Sequence, residues 1–144
     1  DVAAGEKRFS VPLGETVDIR GSIDRIEREA GGLRVVDYKT GKSAQSKAQA
    51  ERDPQLAAYQ YALAHMEKDE PVVGASLVYV GTDAKSSALR HQAPLGEGDD
   101  PDWFENLVRE IDARLRSARM NLVRNPHCKV CPVKRSCPLF QEEM

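Results

Sequence analysis

An acid, an aromatic residue and a base follow one another in the stretch Leu33–Gly41, which reads LRVVDYKTG. Its apolar start predicts a short strand that ends in a turn. Alternate side chains of a strand share a face, so Asp37 and Lys39 point to one side and Tyr38 to the other. A carboxylate and an ammonium at the end of a buried strand cost free energy to hold. We hypothesise that Asp37 binds a divalent metal and that Lys39 manages charge beside it, in a site that cleaves phosphodiesters.

A second acid, Asp24, completes this hypothesis. It precedes the glycine pair Gly31-Gly32, and a tight hairpin there would make the two flanking strands antiparallel neighbours. Asp24 and Asp37 would then lie at nearly the same level, within reach of one Mg²⁺ or Mn²⁺ ion. The carbonyl of Tyr38 offers a third oxygen, and Lys39 can orient a water or stabilise charge on the phosphate. The alternative interpretation is a set of surface salt bridges on an exposed sheet face.

The elements that must position these residues alternate between strands and helices. Strands are predicted at Phe9–Leu13, Thr16–Glu29, Leu33–Lys39 and Val72–Val80, with a weaker edge strand at Ser87–Pro94. Asp53-Pro54 starts a helix to about Glu67, and Asp99 starts another to about Val123 with Trp103, Leu107, Ile111 and Leu115 on one face. The stretch 41–52 is polar and lacks an apolar stripe, which predicts a surface loop with or without a helical turn. This order predicts an α/β fold with a mixed β-sheet flanked by helices.

Composition favours a single globular domain. The chain has 144 residues, of which 40% are hydrophobic and 31% charged. It carries no signal pattern and no apolar run near the roughly 18 residues that span a bilayer, so we expect a cytoplasmic protein without a membrane partner. The chain opens on Asp1 without an initiator Met, which favours a piece excised from a larger protein. A basic stretch from Arg109 to Arg135 suits either a phosphate backbone or a solvated helix face.

Three motifs occur in order along the chain: Gly21-x-x-Asp24-Arg25, Asp37-x-Lys39 and Gln55-x-x-x-Tyr59. With them the sequence resembles the RecB-like branch of the PD-(D/E)XK nuclease superfamily, which includes RecB and AddB helicase–nucleases and CRISPR-adaptation nucleases. The resemblance covers essentially the whole chain. It implies one domain over residues 1–144, with a restriction-endonuclease-like mixed sheet flanked by helices and a cysteine-bearing C-terminal tail over residues 125–144.

The resemblance also implies roles for the motif residues. Asp24 and Asp37 would be metal ligands and Lys39 the catalytic lysine. Gln55 and Tyr59 share a helix face and would hold the substrate strand or Lys39, at a helix start that also favours a phosphate. For Tyr59 the alternative is plain core packing.

Two features upstream of the motifs concern the metal. Glu6 resembles a family glutamate that precedes the first strand and assists at the metal, and it is otherwise a surface residue. The family helix with a metal-assisting histidine has no counterpart before Glu6.

Three cysteines, Cys128, Cys131 and Cys137, fall in the tail. Their odd number argues against a closed disulfide framework and favours ligation in a reducing compartment. They resemble a family cluster that joins a distant fourth cysteine to hold a 4Fe–4S centre. No upstream cysteine is present here, so this chain alone cannot complete that centre. The alternatives are a zinc site with His65 or His91, or three free thiols.

The resemblance therefore implies a Mg²⁺- or Mn²⁺-dependent deoxyribonuclease of the exonuclease type. It would digest single-stranded DNA in a bacterial helicase–nuclease for double-strand-break repair and recombination. A helicase motor domain or subunit would deliver the DNA, which would be bound through its backbone without sequence preference. The alternatives are a catalytically inactive DNA-binding or structural domain of the same fold, or a zinc-binding interaction module.

Overall fold

Seven strands form a mixed sheet and a separate hairpin in the computed structural model, which describes residues 1–81, 88–117 and 122–143. The strands are β1 (Val2–Ala4), β2 (Lys7–Leu13), β3 (Val17–Ile23), β4 (Arg25–Glu29), β5 (Gly32–Lys39), β6 (Val72–Tyr79) and β7 (Ala88–Gln92). The five-stranded sheet has the order β1-β4-β5-β6-β7, while β2 pairs only with β3. The pair β5–β6 is parallel and the other pairs are antiparallel. The predicted mixed α/β architecture is confirmed.

Three helices accompany the strands within the described ranges: α1 (Lys47–Glu51), α2 (Pro54–Met66) and α3 (Trp103–Arg116). The chain forms two compact units, residues 1–110 and residues 111–144. The start of α2 lies at the predicted Asp53-Pro54, where Asp53 caps the helix. The stretch predicted as a surface loop contains α1, which begins with a capping box at Ser46. None of the described helices is both long and apolar enough to cross a membrane.

The main core lies between α2 and one face of the five-stranded sheet. Val35 and Leu77 from the parallel pair are fully buried, as are Leu56 and Leu63 from α2. Each such side chain stabilises the fold by about 1.5–3 kcal/mol. A smaller core joins Leu13, Ala57 and Phe104 in the first unit. These contacts fix α2 across the end of β5, which is where the candidate site lies.

The predicted single strand Thr16–Glu29 is wrong. It breaks at Asp24 into β3 and β4, and the two halves belong to different sheets. Ile23 and Ile26 explain the break, because both are buried although they stand an odd number of positions, three, apart. Side chains of a strand alternate with a period of two, so one regular strand cannot bury both on the same face. The buried residues change from odd-numbered to even-numbered positions between Ile23 and Ile26. This change is visible in the sequence, and Asp24 lies where it occurs.

The hairpin between β4 and β5 is confirmed, with a shift of one residue. Glu29 pairs with Gly32, so the loop is Ala30-Gly31 and not Gly31-Gly32. Gly32 has φ +150°, and a Cβ atom there would lie 2.1 Å from the Pro71 carbonyl oxygen. That carbonyl accepts a hydrogen bond of 2.8 Å from the Leu33 amide. Glycine at this position therefore lets the start of β5 approach the chain that enters β6.

The last predicted elements agree in part. The edge strand is β7, while Ser87 lies outside the described residues. The helix predicted to about Val123 is described as far as Arg116, and residues 118–121 are not described. Its predicted apolar face is correct only in part: Trp103 packs beside the smaller core, but the buried residue is Phe104, which that face omits, and Leu115 is 81% exposed.

Gln92 on β7 joins the edge of the sheet to the junction between α1 and α2. Its amide donates to the carbonyls of Ala50 at 3.1 Å and Asp53 at 3.0 Å, and its oxygen accepts from Gln60 at 2.9 Å. We expect Gln92→Leu to lower the free energy of unfolding by about 3 kcal/mol, because these buried groups would lose their partners. Chemical denaturation measures this. Gln49→Leu, in the exposed capping box of α1, is the control and should cost about 1 kcal/mol; equal losses would contradict the prediction.

Candidate active site

Asp24 occupies the break between β3 and β4. The last residue pair of β4 with β5 at this end is Arg25 opposite Val36, so the next step places Asp24 opposite Asp37. The Asp24 Oδ2 accepts a hydrogen bond of 3.0 Å from the Tyr38 amide. The structure therefore brings the two acids to the same level, as the hairpin argument expects, and the backbone of β5 holds Asp24 in place.

Asp37 and Lys39 lie side by side on β5. Asp37 is 3% exposed, and its Oδ2 is 2.8 Å from the Lys39 Nζ. The two charges form a close ion pair, although no hydrogen bond of good geometry reaches Oδ2. Tyr38 points to the opposite face and is 41% exposed, which agrees with the predicted alternation. The Lys39 ammonium is therefore the counter-charge of this buried carboxylate.

Lys39 is held from the other side by α2. Its Nζ donates to the Gln55 Oε1 at 2.6 Å, and the Gln55 Nε2 donates to the Tyr59 Oη at 2.8 Å. Gln55 and Tyr59 stand at i and i+4 and so share one helix face. Tyr59 is also a core residue with 9% exposure, so core packing and the polar link are both present. The resemblance-based pair is thus joined to Lys39 by a continuous series of hydrogen bonds.

Asp53 closes the start of α2. Its Oδ1 accepts from the amides of Gln55 at 2.9 Å and Leu56 at 3.0 Å, and its Oδ2 accepts from the Gln45 Nε2 at 2.9 Å. The expected phosphate site at this helix start is therefore wrong, because a buried carboxylate already takes its donors. The sequence identified Asp53 as a cap only. Its charge also acts on Asp37 and Lys39, which no local pattern indicated.

We expect Asp53→Ala to lower the free energy of unfolding by about 1 kcal/mol or more, because the first turn of α2 loses its cap. Asp53→Asn keeps a capping oxygen of the same size and should retain most of that stability. Urea denaturation of both variants measures the difference. An Asn variant as unstable as the Ala variant would show that the cap is not what Asp53 contributes.

Burial dominates the electrostatics of the site. Burial raises the pKa of Asp37, with smaller contributions from the charges of Asp24 and Asp53, while Lys39 opposes the shift. Burial also acts to lower the pKa of Lys39, but the adjacent Asp37 carboxylate outweighs it and the pKa of Lys39 is raised. Burial raises the pKa of Tyr59. Lys39 is therefore an ammonium at neutral pH, suited to donate hydrogen bonds and not to remove protons.

The oxygen atoms around Asp37 fit a hard divalent cation. The Lys39 carbonyl accepts from the Val80 amide on the β6 side at 2.9 Å. Because backbone groups alternate along a strand, the Tyr38 amide and carbonyl both face the other side, toward Asp24. The Asp37 carboxylate, the Asp24 carboxylate and the Tyr38 carbonyl supply oxygen atoms of the kind that Mg²⁺ and Mn²⁺ prefer as ligands.

Glu6 is not part of this group. It lies between β1 and β2, is exposed, and accepts a hydrogen bond of 3.2 Å from the Ser22 hydroxyl. Within the described residues, no three side chains from Asp, Glu, His and Cys are gathered as metal ligands. The third oxygen available beside Asp24 and Asp37 is accordingly a backbone carbonyl. The assisting role of Glu6 stays a prediction.

The three tail cysteines, described within their own unit, are free thiols of intermediate exposure. Three short 3₁₀ turns, Pro126–Lys129, Lys134–Ser136 and Pro138–Glu143, carry or flank them. The described part of the chain does not assemble Cys128, Cys131 and Cys137 into a ligand group. The two remote histidines have other contacts: the Nδ1 of His65 lies 2.9 Å from the Tyr61 carbonyl oxygen, and the Nδ1 of His91 lies 3.0 Å from the Ser76 Oγ. The iron–sulfur and zinc assignments stay predictions.

Several bases of the stretch 109–135 have partners inside their own unit. Arg109 pairs with Glu105 at 3.1 Å, and Arg116 pairs with Asp112 at 2.7 Å. In the tail, Arg124 and Lys134 lie over the ring of Phe140; Arg119 lies outside the described residues. For the bases that make them, these contacts favour a structural role within the unit over a free basic surface.

Comparisons with known proteins agree with this geometry. The family model of the PD-(D/E)XK nuclease superfamily matches residues 2–138. The Gene 69 protein of Mycobacterium phage L5 is 30% identical over 142 residues, which cover 94% of this chain and 44% of that protein. The chain therefore spans less than half the length of that relative. The crystal structure of SSO0001 shares the fold with a TM-score of 0.54 and 21% identity, over 92% of this chain and 57% of the other.

The family carries a nuclease fold, and its members generally depend on divalent metals. That property matches the oxygen atoms that Asp37, Asp24 and the Tyr38 carbonyl offer. The matched region also contains Asp24, Asp37 and Lys39, the three residues that the structure brings together. This chain belongs to the PD-(D/E)XK nuclease superfamily.

Proposed function

We propose that the chain is a Mg²⁺- or Mn²⁺-dependent deoxyribonuclease domain that hydrolyses phosphodiester bonds of single-stranded DNA. The observation that carries this proposal is the buried Asp37 carboxylate, which forms an ion pair with Lys39 and lies on β5 next to Tyr38, whose amide binds Asp24. Two carboxylates can hold a divalent cation. That cation and the adjacent ammonium can offset the negative charge that develops on the phosphate during hydrolysis.

The ion would be held by Asp24, Asp37 and the Tyr38 carbonyl. When bound, a divalent cation supplies positive charge at the phosphate and lowers the pKa of a water molecule. The protein contributes a fixed geometry for these oxygens. The Tyr38 amide orients the Asp24 carboxylate, and the buried strand β5 orients that of Asp37.

Lys39 would bind the phosphate. Its ammonium has three donors, of which one goes to Gln55 and another faces the Asp37 carboxylate. The third remains for a phosphate oxygen, where it can stabilise the charge that grows as the bond breaks. Its raised pKa keeps the ammonium protonated for this task.

The proposal extends to the biological setting of the RecB-like branch. The ordered motifs around Gly21, Asp37 and Gln55 support an exonuclease-type domain of a bacterial helicase–nuclease in double-strand-break repair. A helicase motor domain or subunit would supply the strand. In the full-length protein, a 4Fe–4S centre would include Cys128, Cys131 and Cys137 together with a fourth ligand from outside this chain. Iron and zinc analysis of the anaerobically purified full-length protein tests the centre; zinc without iron would contradict it.

The test of the activity is cleavage of end-labelled single-stranded DNA with Mg²⁺ or Mn²⁺. We expect the wild type to cleave and Asp37→Ala to be inactive. Asp18→Ala is the matched control, because Asp18 is an exposed acid on β3 whose partner is Arg20. Equal cleavage by the wild type and Asp37→Ala would contradict the catalytic assignment.

A further inference from the structure

Phe9 lies across the bare backbone of Gly21. The two residues are directly opposite in the β2–β3 hairpin. A Cβ atom on Gly21 would lie 2.8 Å from the Phe9 Cζ and 3.0 Å from its Cε1, which is too close for any real contact. Gly21 is not among the glycines with positive φ, so its backbone conformation does not require glycine. Its missing side chain instead makes room for the aromatic ring, a recurrent use of glycine opposite an aromatic residue.

The same ring supports Tyr59. The Phe9 and Tyr59 rings meet edge to face, with centroids 5.9 Å apart and planes at 81°. Both side chains are buried, with exposures of 8% and 9%. Edge-to-face contacts hold a defined geometry because the positive edge of one ring meets the negative face of the other. Phe9 therefore fixes where the Tyr59 ring stands in the core.

From Tyr59 the contacts continue to the site. Its hydroxyl accepts from the Gln55 amide, and that amide's oxygen accepts from the Lys39 ammonium. Because the Gln55 Nε2 is tied to Tyr59, its Oε1 is turned toward Lys39 and cannot rotate away without losing a bond. A shift of the Tyr59 ring would therefore move the group that holds Lys39.

We propose that Phe9, seated on Gly21, is a positioning residue that sets the Lys39 ammonium through Tyr59 and Gln55. The inference rests on the proposed nuclease function. It also gives the glycine of the Gly21-x-x-Asp24 motif a physical role that is separate from metal binding. Small misplacements of a catalytic group cost large factors in rate, so a side chain in this position acts on turnover and not only on stability.

The matched control is Phe104. Phe104 lies on α3 and is buried to a similar degree, with 4% exposure. Its ring contacts that of Tyr61 on α2, the helix that also carries Tyr59, with centroids 5.8 Å apart. Tyr61 donates to the Pro12 carbonyl and has no bond to Lys39 or Gln55. Phe104→Leu therefore removes an equivalent aromatic contact from α2 without touching the series of bonds that ends at Lys39.

The test compares wild type, Phe9→Leu, Gly21→Ala and Phe104→Leu in steady-state cleavage of single-stranded DNA, below the unfolding temperature of each. We expect Phe9→Leu and Gly21→Ala to lower kcat by about tenfold or more with KM nearly unchanged. Phe104→Leu should keep the wild-type kcat while losing stability. A wild-type kcat for Phe9→Leu, or a kcat loss that follows lost stability in both Leu variants, would overturn the proposal.

A second readout does not depend on activity. Reductive methylation followed by mass spectrometry reports how freely the Lys39 amine reacts, with exposed Lys42 as the internal standard. We expect Lys39 to react several-fold faster in Phe9→Leu than in the wild type or Phe104→Leu, because Gln55 no longer holds it. Unchanged Lys39 reactivity would overturn the positioning role. An inactive wild type with this reactivity pattern would instead reject the nuclease function alone.

Discussion

Asp37→Asn should reduce DNA cleavage by about a thousandfold or more and leave the metal-free fold at least as stable as the wild type. The two effects have one cause. The Asp37 carboxylate is buried, so its charged form costs free energy, and a bound cation would offset that cost. Asparagine keeps the size of the side chain and removes the charge. Cleavage assays, and thermal unfolding in a metal chelator, measure the two effects separately.

The raised pKa of Asp37 determines how the stability difference between Asp37→Asn and the wild type changes with pH. The pKa of Asp37 is raised in the folded protein, so the folded state holds the proton more tightly than the unfolded chain. Its contribution to stability therefore falls as pH rises from the unfolded pKa through the higher folded pKa, and the full cost is present above the folded pKa. The advantage of Asp37→Asn over the wild type should accordingly appear above that window and vanish in acid. An Asn variant that unfolds more easily than the chelated wild type at neutral pH would contradict this.

Lys39→Met should lower cleavage by about a hundredfold to a thousandfold and also destabilise the fold. Methionine fills the space of the side-chain stem but removes the ammonium that faces Asp37 and donates to Gln55. The carboxylate is then buried without a counter-charge, which costs about 1–3 kcal/mol at this partly exposed pair. Steady-state cleavage and urea denaturation without metal measure both losses.

The double variant Asp37→Asn/Lys39→Met is the control for that prediction. It removes both charges, so we expect it to recover most of the stability lost in Lys39→Met while remaining inactive. Equal stability of the single and double variants would show that the unpaired Asp37 charge is not the source of the loss.

Much of the site followed from sequence patterns because those patterns are local. The alternation in β5 placed Asp37 and Lys39 on one face, and the hairpin placed Asp24 at nearly the level of Asp37. The cap at Asp53 marked the start of α2 correctly. Each of these rests on a period, a turn or a cap that a short stretch of chain determines by itself.

The remainder depends on contacts between distant segments. The split of the long strand at Asp24 was visible only as a parity change from Ile23 to Ile26, whose meaning required a second sheet. Asp53 occupies the backbone amide donors at the start of α2, and this depends on the burial of its side chain. The Phe9 contact with Tyr59 joins residues that are far apart in the sequence. Such contacts are set by packing, which no single motif encodes.

Binding of Mn²⁺ tests most directly whether Asp24 and Asp37 form a metal site. The electron paramagnetic resonance signal of free Mn²⁺ is followed as protein is added, for the wild type, Asp37→Asn and the control Asp18→Asn, with single-stranded DNA present. We expect the wild type and Asp18→Asn to take up the ion and Asp37→Asn to lose this uptake. Equal uptake by Asp37→Asn, or none by the wild type, would contradict the metal site on which the proposed nuclease activity depends.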